Sequence, residues 1–237
     1  WSVRSDTIPA HRVIVDDFYI QKYEVTQGDF ELFMEVTGYQ PSDHRYEDMR
    51  DEIPERFKSE LPAAVSWVDS DAFCNWLGNK ATKEIRLPTE AEWEFAARAR
   101  GQMLAYATER GEAIEGVTMA AKVEPSRFSP PSARVSLPTP PGSFPPNALG
   151  LHDMSGNVGE WVSDKYSQDY YEQSPINNPK GPEVGQTDMF QGLPYRVLRG
   201  GSYEEFEGNT TVTRRKGSQT IATSNRGFRC VWKPARS

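Results

Sequence analysis

A glycine-rich loop between Gly150 and Trp161 limits what this chain can fold into more than any other stretch. It reads Gly-Leu-His-Asp-Met-Ser-Gly-Asn-Val-Gly-Glu-Trp, with three glycines, two carboxylates and a tryptophan. Glycine adopts left-handed and tight backbone conformations that other residues avoid. Gly156 and Gly159 therefore allow consecutive carbonyls to point at one centre instead of pairing in a ladder.

Such a loop is suited to a hard cation. Calcium takes about 6–8 oxygen ligands, from carboxylates and main-chain carbonyls alike. Asp153 and Glu160 can supply the carboxylates, and Gly156 and Val158 the carbonyls. The alternative is a glycine-rich turn that carries two solvated acids, and spacing alone does not separate the two interpretations.

Composition excludes some classes of partner. The formal net charge is −7 over 237 residues, whereas nucleic acids and anionic membranes bind basic faces. The longest apolar runs fall far short of the ~20 residues that a membrane span needs, which predicts a soluble chain. The chain starts at Trp1, which is compatible with the earlier loss of a signal peptide or lipid anchor.

Three helices are predicted from their N-terminal capping sequences. Thr26, Ser66 and Thr89 each precede an acid three residues later, the pattern of a capping box. Apolar residues at helical spacing follow each cap, so each helix is predicted to bury one face. The first helix is predicted to stop at Gly38, and Trp93, Ala96 and Ala97 are predicted to form the buried face of the third.

Strand patterns are fewer. His11–Val15 alternates polar and apolar residues, and Phe18–Ile20 continues it. Arg196–Leu198 is predicted to be a short strand, and Phe228–Trp232 the closing one. Loops are predicted over residues 39–61, 101–147 and 162–194, with an extended proline- and serine-rich surface segment over 125–146.

Six motifs occur in a fixed order along the chain. They are Lys22–Thr26, Val65–Trp67, Arg86–Glu94, Pro145–Trp161, Arg199–Tyr203 and Ser224–Cys230. Together they resemble the signature of the formylglycine-generating enzyme family, the sulfatase-modifying factors, from about Phe18 to Trp232. The resemblance implies an α+β fold: one domain over residues 1–237, with a C-type-lectin-like core and little regular secondary structure.

The resemblance also implies a metal. In that family the loop that matches Asp153, Gly156, Val158 and Glu160 binds calcium, so structural calcium is the predicted cofactor. Some members carry a second calcium site, built with asparagine and aspartate, in the region that matches residues 101–146. This chain has neither residue type there, and the second site is predicted to be absent.

The two cysteines, Cys74 and Cys230, taken alone permit either one disulfide or two free thiols. Matching cysteines are bonded to each other in some members of the resembled family, which favours the disulfide here. Closing so long a loop is worth roughly 5 kcal/mol on the chain-entropy estimate. A structural disulfide points to the periplasm or another compartment outside the cytoplasm.

The family's oxidation chemistry is not expected here. Its catalytic members use two cysteines, between the Arg-Gly-Gly-Ser and Gly-Phe-Arg motifs, to bind copper and convert a substrate cysteine to formylglycine. Residues 203–218 of this chain contain no cysteine. Serine, threonine and glutamate are hard oxygen donors and do not replace a thiolate pair for soft copper. We therefore predict no copper, no catalytic residues and no formylglycine-generating activity.

Other polar residues occupy the position of that active site. They are Tyr203, Glu204, Glu205, Arg214, Arg215, Lys216 and Asn225. A cleft lined by these side chains can hold a peptide or an acidic ligand. A repacked surface without a ligand is the alternative, and the sequence leaves both open.

These features favour a non-catalytic binding or regulatory module in the periplasm that acts through a protein partner. Within the resembled family, such proteins occur beside bacterial secretion machinery, including the type VI system, where one acts with a membrane threonine kinase. By that analogy the predicted partner is the periplasmic part of a membrane Ser/Thr kinase. Two alternatives stay open: a cysteine-independent tailoring oxidase or isomerase of siderophore maturation, and a lectin-like ligand receptor.

Overall fold

A computed structural model of the chain describes residues 5–114, 119, 137–189 and 192–234. The described residues form four α-helices: α1 (Gln27–Thr37), α2 (Arg45–Glu52), α3 (Trp67–Ala81) and α4 (Glu90–Ala97). They also form seven strands: β1 (Tyr19–Ile20), β2 (Ile85–Arg86), β3 (Gly159–Lys165), β4 (Tyr195–Arg199), β5 (Arg215–Gln219), β6 (Arg226–Gly227) and β7 (Val231–Trp232). The predicted α+β fold with little regular structure is confirmed.

The three predicted capping boxes are present. At the start of α1, the amide of Asp29 donates to the Thr26 hydroxyl at 3.1 Å, and the amide of Thr26 donates back to the Asp29 carboxylate at 3.2 Å. The same reciprocal bonds start α3 at Ser66 and α4 at Thr89. Each box satisfies helix amides that have no partner inside the helix. The helix α1 ends, as predicted, at Gly38 in the left-handed conformation.

Two small sheets organise the chain. The larger has the order β5-β4-β3-β6, with β3 and β6 parallel and the other pairs antiparallel. The smaller has the order β1-β7-β2, and Trp232 lies opposite both Tyr19 and Ile85. The end of the described chain therefore pairs with its beginning, and β3 carries the end of the glycine-rich loop into the middle of the larger sheet.

The predicted disulfide joins Cys74 in α3 to Cys230 next to β7, with 5.8 Å between the Cα atoms. Both residues are fully buried, in a core that includes Phe30, Phe33 and Phe73. This confirms the pairing that the family resemblance implied. The bond fixes the last strand against the third helix across 156 residues of sequence.

A second group of buried apolar residues lies under α4. Trp93, Ala96 and Ala97 are buried there, as predicted, and they pack with Met154 of the glycine-rich loop and Val162 of β3. Among the helices of the described residues, none has the length and apolar character needed to cross a membrane.

Several predicted elements are wrong. His11–Val15 is not a strand but makes one isolated bridge, between Ile14 and Asn177. Residues 39–61 are not all loop, since they contain α2. The loop predicted from residue 162 begins later, because β3 continues to Lys165 against β4. For the two strand predictions the outcome depends on a distant partner segment, which periodicity does not report.

Two predictions lie at least partly outside the described residues. The proline- and serine-rich segment predicted over 125–146 is described only from residue 137 onward. Residues 101–146, from which a second calcium site is predicted to be absent, also lie partly outside the described residues.

Candidate functional site

The glycine-rich loop has four residues with positive φ before β3. They are Gly150 at 79°, Asp153 at 61°, Gly156 at 93° and Asn157 at 58°. Aspartate and asparagine tolerate this left-handed region better than most residues. Gly156 is thus tightly turned as predicted, but Gly159 is not, because it begins β3.

Glu160, one of the predicted calcium ligands, already has a cationic partner. The Arg229 guanidinium donates from Nε to Oε2 at 2.8 Å and from Nη2 to Oε1 at 2.7 Å. The Trp93 indole adds a third hydrogen bond, to Oε2 at 2.8 Å. Glu160 and Arg229 are both fully buried, and such two-pronged pairs are strong and directional.

Asp153, the second predicted carboxylate ligand, is only partly satisfied. Its Oδ2 accepts a 2.6 Å hydrogen bond from the amide of Gly142. Its Oδ1 is buried and has no hydrogen-bond partner among the described residues. Burial raises the pKa of Asp153, since the charged form loses its hydration there.

Glu24 joins these acids, although the sequence analysis gave it no role beyond a family motif. It is buried, and its Oε2 accepts a 2.6 Å hydrogen bond from Asn157 Nδ2. Its Oε1 is buried without a partner in the described part of the chain. Burial raises the pKa of Glu24 well above its usual value, and the nearby charges of Asp153 and Glu160 add to the effect. Its place in the Lys22–Thr26 motif was the only signal in the sequence.

The chemistry of this loop fits calcium. Asp153 and Glu24 each present one buried carboxylate oxygen without a hydrogen-bond partner in the described residues, and calcium prefers oxygen donors. No group of three or more histidine, cysteine or acidic side chains in the described residues converges closely enough to hold a metal ion. Of the two predicted carboxylate ligands, Glu160 is already bound by Arg229, so Asp153 and the neighbouring Glu24 are the acids left for a cation, and calcium with the carbonyls of Gly156 and Val158 stays a prediction.

Some of the predicted cleft residues line a small surface cavity of about 40 Å³ beside β4, β5 and β6. Glu205, Arg214 and Asn225 line it together with Ser202 and Lys216. The sequence analysis named Lys216 but missed Ser202, although Ser202 lies in the Arg199–Tyr203 motif. We call this cavity and its rim the β4–β6 cleft.

Tyr203 and Glu204 lie at the rim of the β4–β6 cleft. The Tyr203 hydroxyl donates to Glu204 Oε1 at 3.3 Å, and Asn225 Nδ2 donates to Glu204 Oε2 at 2.6 Å. On the other side Lys216 Nζ lies 3.3 Å from Glu205 Oε1. One acid at the cavity is therefore bound by neutral donors and the other by a base.

Arg215 does not line the β4–β6 cleft, so that part of the prediction is wrong. Its side chain is fully buried and donates to both carboxylate oxygens of Glu90, from Nε at 2.8 Å and Nη2 at 2.9 Å. Successive side chains of a strand point to opposite faces. Arg214 and Lys216 face the cleft, and Arg215 between them faces the interior.

Glu90, the first residue of α4, holds two arginines at once. Arg199 Nη1 donates to Glu90 Oε1 at 2.9 Å, and Arg199 Nη2 donates to Glu94 at 2.6 Å. Burial alone would raise the pKa of Glu90, but Arg215 and Arg199 outweigh it and hold that pKa below its usual value. This ion cluster joins α4, β4 and β5 beneath the β4–β6 cleft.

Comparison with known proteins assigns the chain to a family. The family described as "Sulfatase-modifying factor enzyme 1-like domain" matches residues 2–234. The formylglycine-generating enzyme of Streptomyces coelicolor is 30% identical over 94% of this chain and 80% of its own length.

A second kind of relative is much longer than this chain. The serine/threonine-protein kinase Pkn1 of Chlamydia trachomatis serovar L2 is 32% identical over 95% of this chain, but the match covers only 35% of the kinase. The chain thus spans about a third of the length of the kinase relatives that it matches. Among solved structures, PvdO from Pseudomonas aeruginosa superposes with a TM-score of 0.75 over 98% of this chain and 86% of its own, at 24% identity. That likeness is one of fold.

Proposed function

The chain belongs to the sulfatase-modifying factor enzyme family, and from this premise we propose that it is a non-catalytic regulatory module that binds a protein partner outside the cytoplasm. The proposal rests on the β4–β6 cleft, which lies where the resembled catalytic members hold their copper-binding cysteines. The corresponding segment of this chain has no cysteine, and the two cysteines elsewhere are bonded to each other.

The donors at the β4–β6 cleft do not suit the family's copper chemistry. Its polar side chains are hydroxyls, carboxylates, an amide and bases. Soft copper prefers thiolates, which these groups do not replace. We therefore assign the cleft to binding and not to oxidation of a substrate cysteine.

The size of the β4–β6 cleft favours a protein over a small molecule. Small-molecule sites measure about 300–1,000 Å³, whereas this cavity holds about 40 Å³. Around it, Glu204, Glu205, Arg214 and Lys216 present charges of both signs.

For the partner we propose a Ser/Thr kinase. In Chlamydia the matching sequence lies within a protein named as such a kinase. Where the module and the kinase are separate chains, we propose that the module contacts the part of the kinase outside the cytoplasm. More specifically, we propose that the module regulates type VI secretion through that kinase.

The compartment follows from the disulfide. Cytosolic thiols are kept reduced, and structural disulfides persist in oxidising compartments. Cys74 and Cys230 lie in the core at 0% exposure, so their bond is a structural one. In this proposal, calcium at the glycine-rich loop supports the fold and takes no part in any reaction.

The tailoring-enzyme alternative would need an acid or base that is free to move a proton. Glu204 accepts hydrogen bonds from Tyr203 and Asn225, and Glu205 pairs with Lys216. Both acids are engaged by neighbours, which favours recognition over proton transfer.

The test is crosslinking in the native cell envelope, followed by identification of the bound proteins. The tagged chain should recover a Ser/Thr kinase, and a Glu204→Lys/Glu205→Lys variant should recover at least tenfold less. Glu35→Lys, an exposed acid on α1, is the matched control and should recover as much as the natural chain.

Three results would contradict the proposal. The first is the absence of a kinase among the crosslinked proteins, and the second is equal recovery by the cleft variant. The third is formylglycine in a cysteine-containing peptide that has been incubated with the protein, copper and oxygen.

A further inference from the structure

A larger cavity lies on the other side of α4, away from the β4–β6 cleft. It measures about 410 Å³, within the usual range for small-molecule sites. Its walls come from the segment Thr7–Val15, from α4 and from the 3-10 turn Tyr170–Glu172. We call it the α4 cavity.

Most of the α4 cavity wall is apolar or aromatic. The lining includes Val13, Ala91, Phe95, Met103, Tyr170 and Tyr171. Charged and titratable side chains also reach it: the acids Glu90, Glu94 and Asp164, and the basic residues His11, Arg12 and Arg98. An apolar pocket with a few convergent polar groups is the usual form of a small-molecule site.

Two of these acids are neutralised by arginines. Glu90 is bound by Arg215 and Arg199. Glu94 is bound by Arg199 at 2.6 Å and by Arg98 at 2.9 Å. Their charge is therefore not available to a ligand.

Asp164 is different, because its hydrogen-bond donors are neutral. Its Oδ2 accepts from the amide of Glu90 at 2.8 Å and from the Ser163 hydroxyl at 3.2 Å. Both bonds from the described residues end on that oxygen, and no described cation lies within ion-pair distance of Asp164. The residue is 2% exposed, so its charged form lacks both hydration and a counter-ion. Burial and the neighbouring charge of Glu90 raise the pKa of Asp164 to about 7.

We propose that the α4 cavity binds a small organic ammonium ion whose charge pairs with Asp164 and whose apolar part lies against Phe95, Tyr170 and Tyr171. A buried carboxylate without a partner is costly, and a bound cation removes that cost. Aromatic walls attract cations and also bury the hydrocarbon part of such a ligand. This site is independent of the β4–β6 cleft and of the function proposed for it.

The probe is phenethylamine, which is an ammonium ion at pH 8, and its neutral counterpart is 2-phenylethanol. Calorimetric titration at pH 8 should give binding of phenethylamine at least tenfold tighter than that of 2-phenylethanol. Near pH 7, binding should release protons, because the ammonium ion favours ionised Asp164. Titrations in buffers of different ionisation enthalpy measure that release.

Three variants test where the probe binds. Asp164→Asn should weaken phenethylamine binding at least tenfold and abolish proton release while leaving 2-phenylethanol unaffected. Ala91→Phe fills the cavity and should abolish binding of both. Asp71→Asn removes an acid on α3 whose pKa is also raised by burial but which does not line the cavity, and it should change neither.

The proposal is overturned if phenethylamine does not bind the natural chain, or if it binds no better than 2-phenylethanol. Equal binding by Asp164→Asn, once circular dichroism has shown that this variant is folded, overturns it as well. Binding that survives Ala91→Phe would place the ligand elsewhere and overturn the assignment to this cavity.

Discussion

Arg229 and Glu160 form an ion pair in which both side chains are completely buried, with Nη2 and Oε1 2.7 Å apart. The pair joins the residue next to Cys230 to the strand that leaves the glycine-rich loop. Arg229 Nη2 also donates to the carbonyl of His152 at 2.8 Å. The guanidinium therefore ties the loop, β3 and the segment of the disulfide together, and its charge acts against the raised pKa values of Glu24 and Asp153.

Replacing Arg229 by methionine should destabilise the fold by about 3–5 kcal/mol, because it leaves Glu160 buried without its counter-ion. Urea unfolding measures the loss. The control is Lys233→Met, which removes an exposed pair with Asp16 and should cost less than about 1 kcal/mol. A loss below about 1 kcal/mol for Arg229→Met would show that Glu160 is neutralised in another way.

Calcium should stabilise the natural chain after treatment with a chelator. A ligand that binds only the folded state raises the free energy of unfolding, by about 2.7 kcal/mol at a hundred times its Kd. The melting temperature rises with it. Magnesium at the same concentration should raise it less, because its smaller shell demands stricter geometry.

Asp153→Ala should remove the response to calcium, which thermal melts with and without the metal will measure. Asp169→Ala, an exposed acid near the 3-10 turn, should keep the full response. If calcium leaves the melting temperature of the natural chain unchanged, the prediction of a calcium site is wrong.

Removing the disulfide with the double substitution Cys74→Ala/Cys230→Ala should cost about 3–5 kcal/mol. The bond closes a loop of 156 residues, which greatly restricts the unfolded chain. Denaturant titrations of the natural chain with and without reductant give an independent value. A double variant as stable as the natural chain would rule out the structural role assigned to the bond.

Asp164 should make the fold less stable as the pH rises. Its pKa is raised to about 7 in the folded chain, so the folded state keeps a proton that the unfolded state has lost. Stability from this group is therefore greatest at the acid end of the window between its ordinary pKa and 7, and it falls as the pH rises through that window. Glu24 and Asp153, whose pKa values are raised too, act in the same direction.

Asp164→Asn removes one of these contributions. Its stability should fall less steeply than that of the natural chain between pH 5 and 8, by at most about 1.4 kcal/mol per pH unit. Unfolding free energies measured at several pH values give both slopes. Parallel slopes would mean that Asp164 is ionised throughout this range.

Much of the fold was readable from the sequence where the signal is local. The caps at Thr26, Ser66 and Thr89 satisfy the first amides of their own helices over three residues, so the pattern alone places the start of each helix. The buried face of α4 follows from helical spacing in the same way. The strand prediction at His11–Val15 failed because a strand also needs a partner, and alternation does not supply one.

The candidate site, too, was predictable from the sequence only in its local features. The sequence by itself determined the family, the three capped helices, the acids of the glycine-rich loop and the lack of cysteine in residues 203–218. Only the tertiary structure decided that Arg215 turns inward to Glu90, that Glu24 joins the loop acids, and that Asp164 has no cation within ion-pair distance among the described residues. The physical reason is range: a helix cap is complete within four residues, whereas the partners and hydration of a buried charge come from segments far apart in the chain.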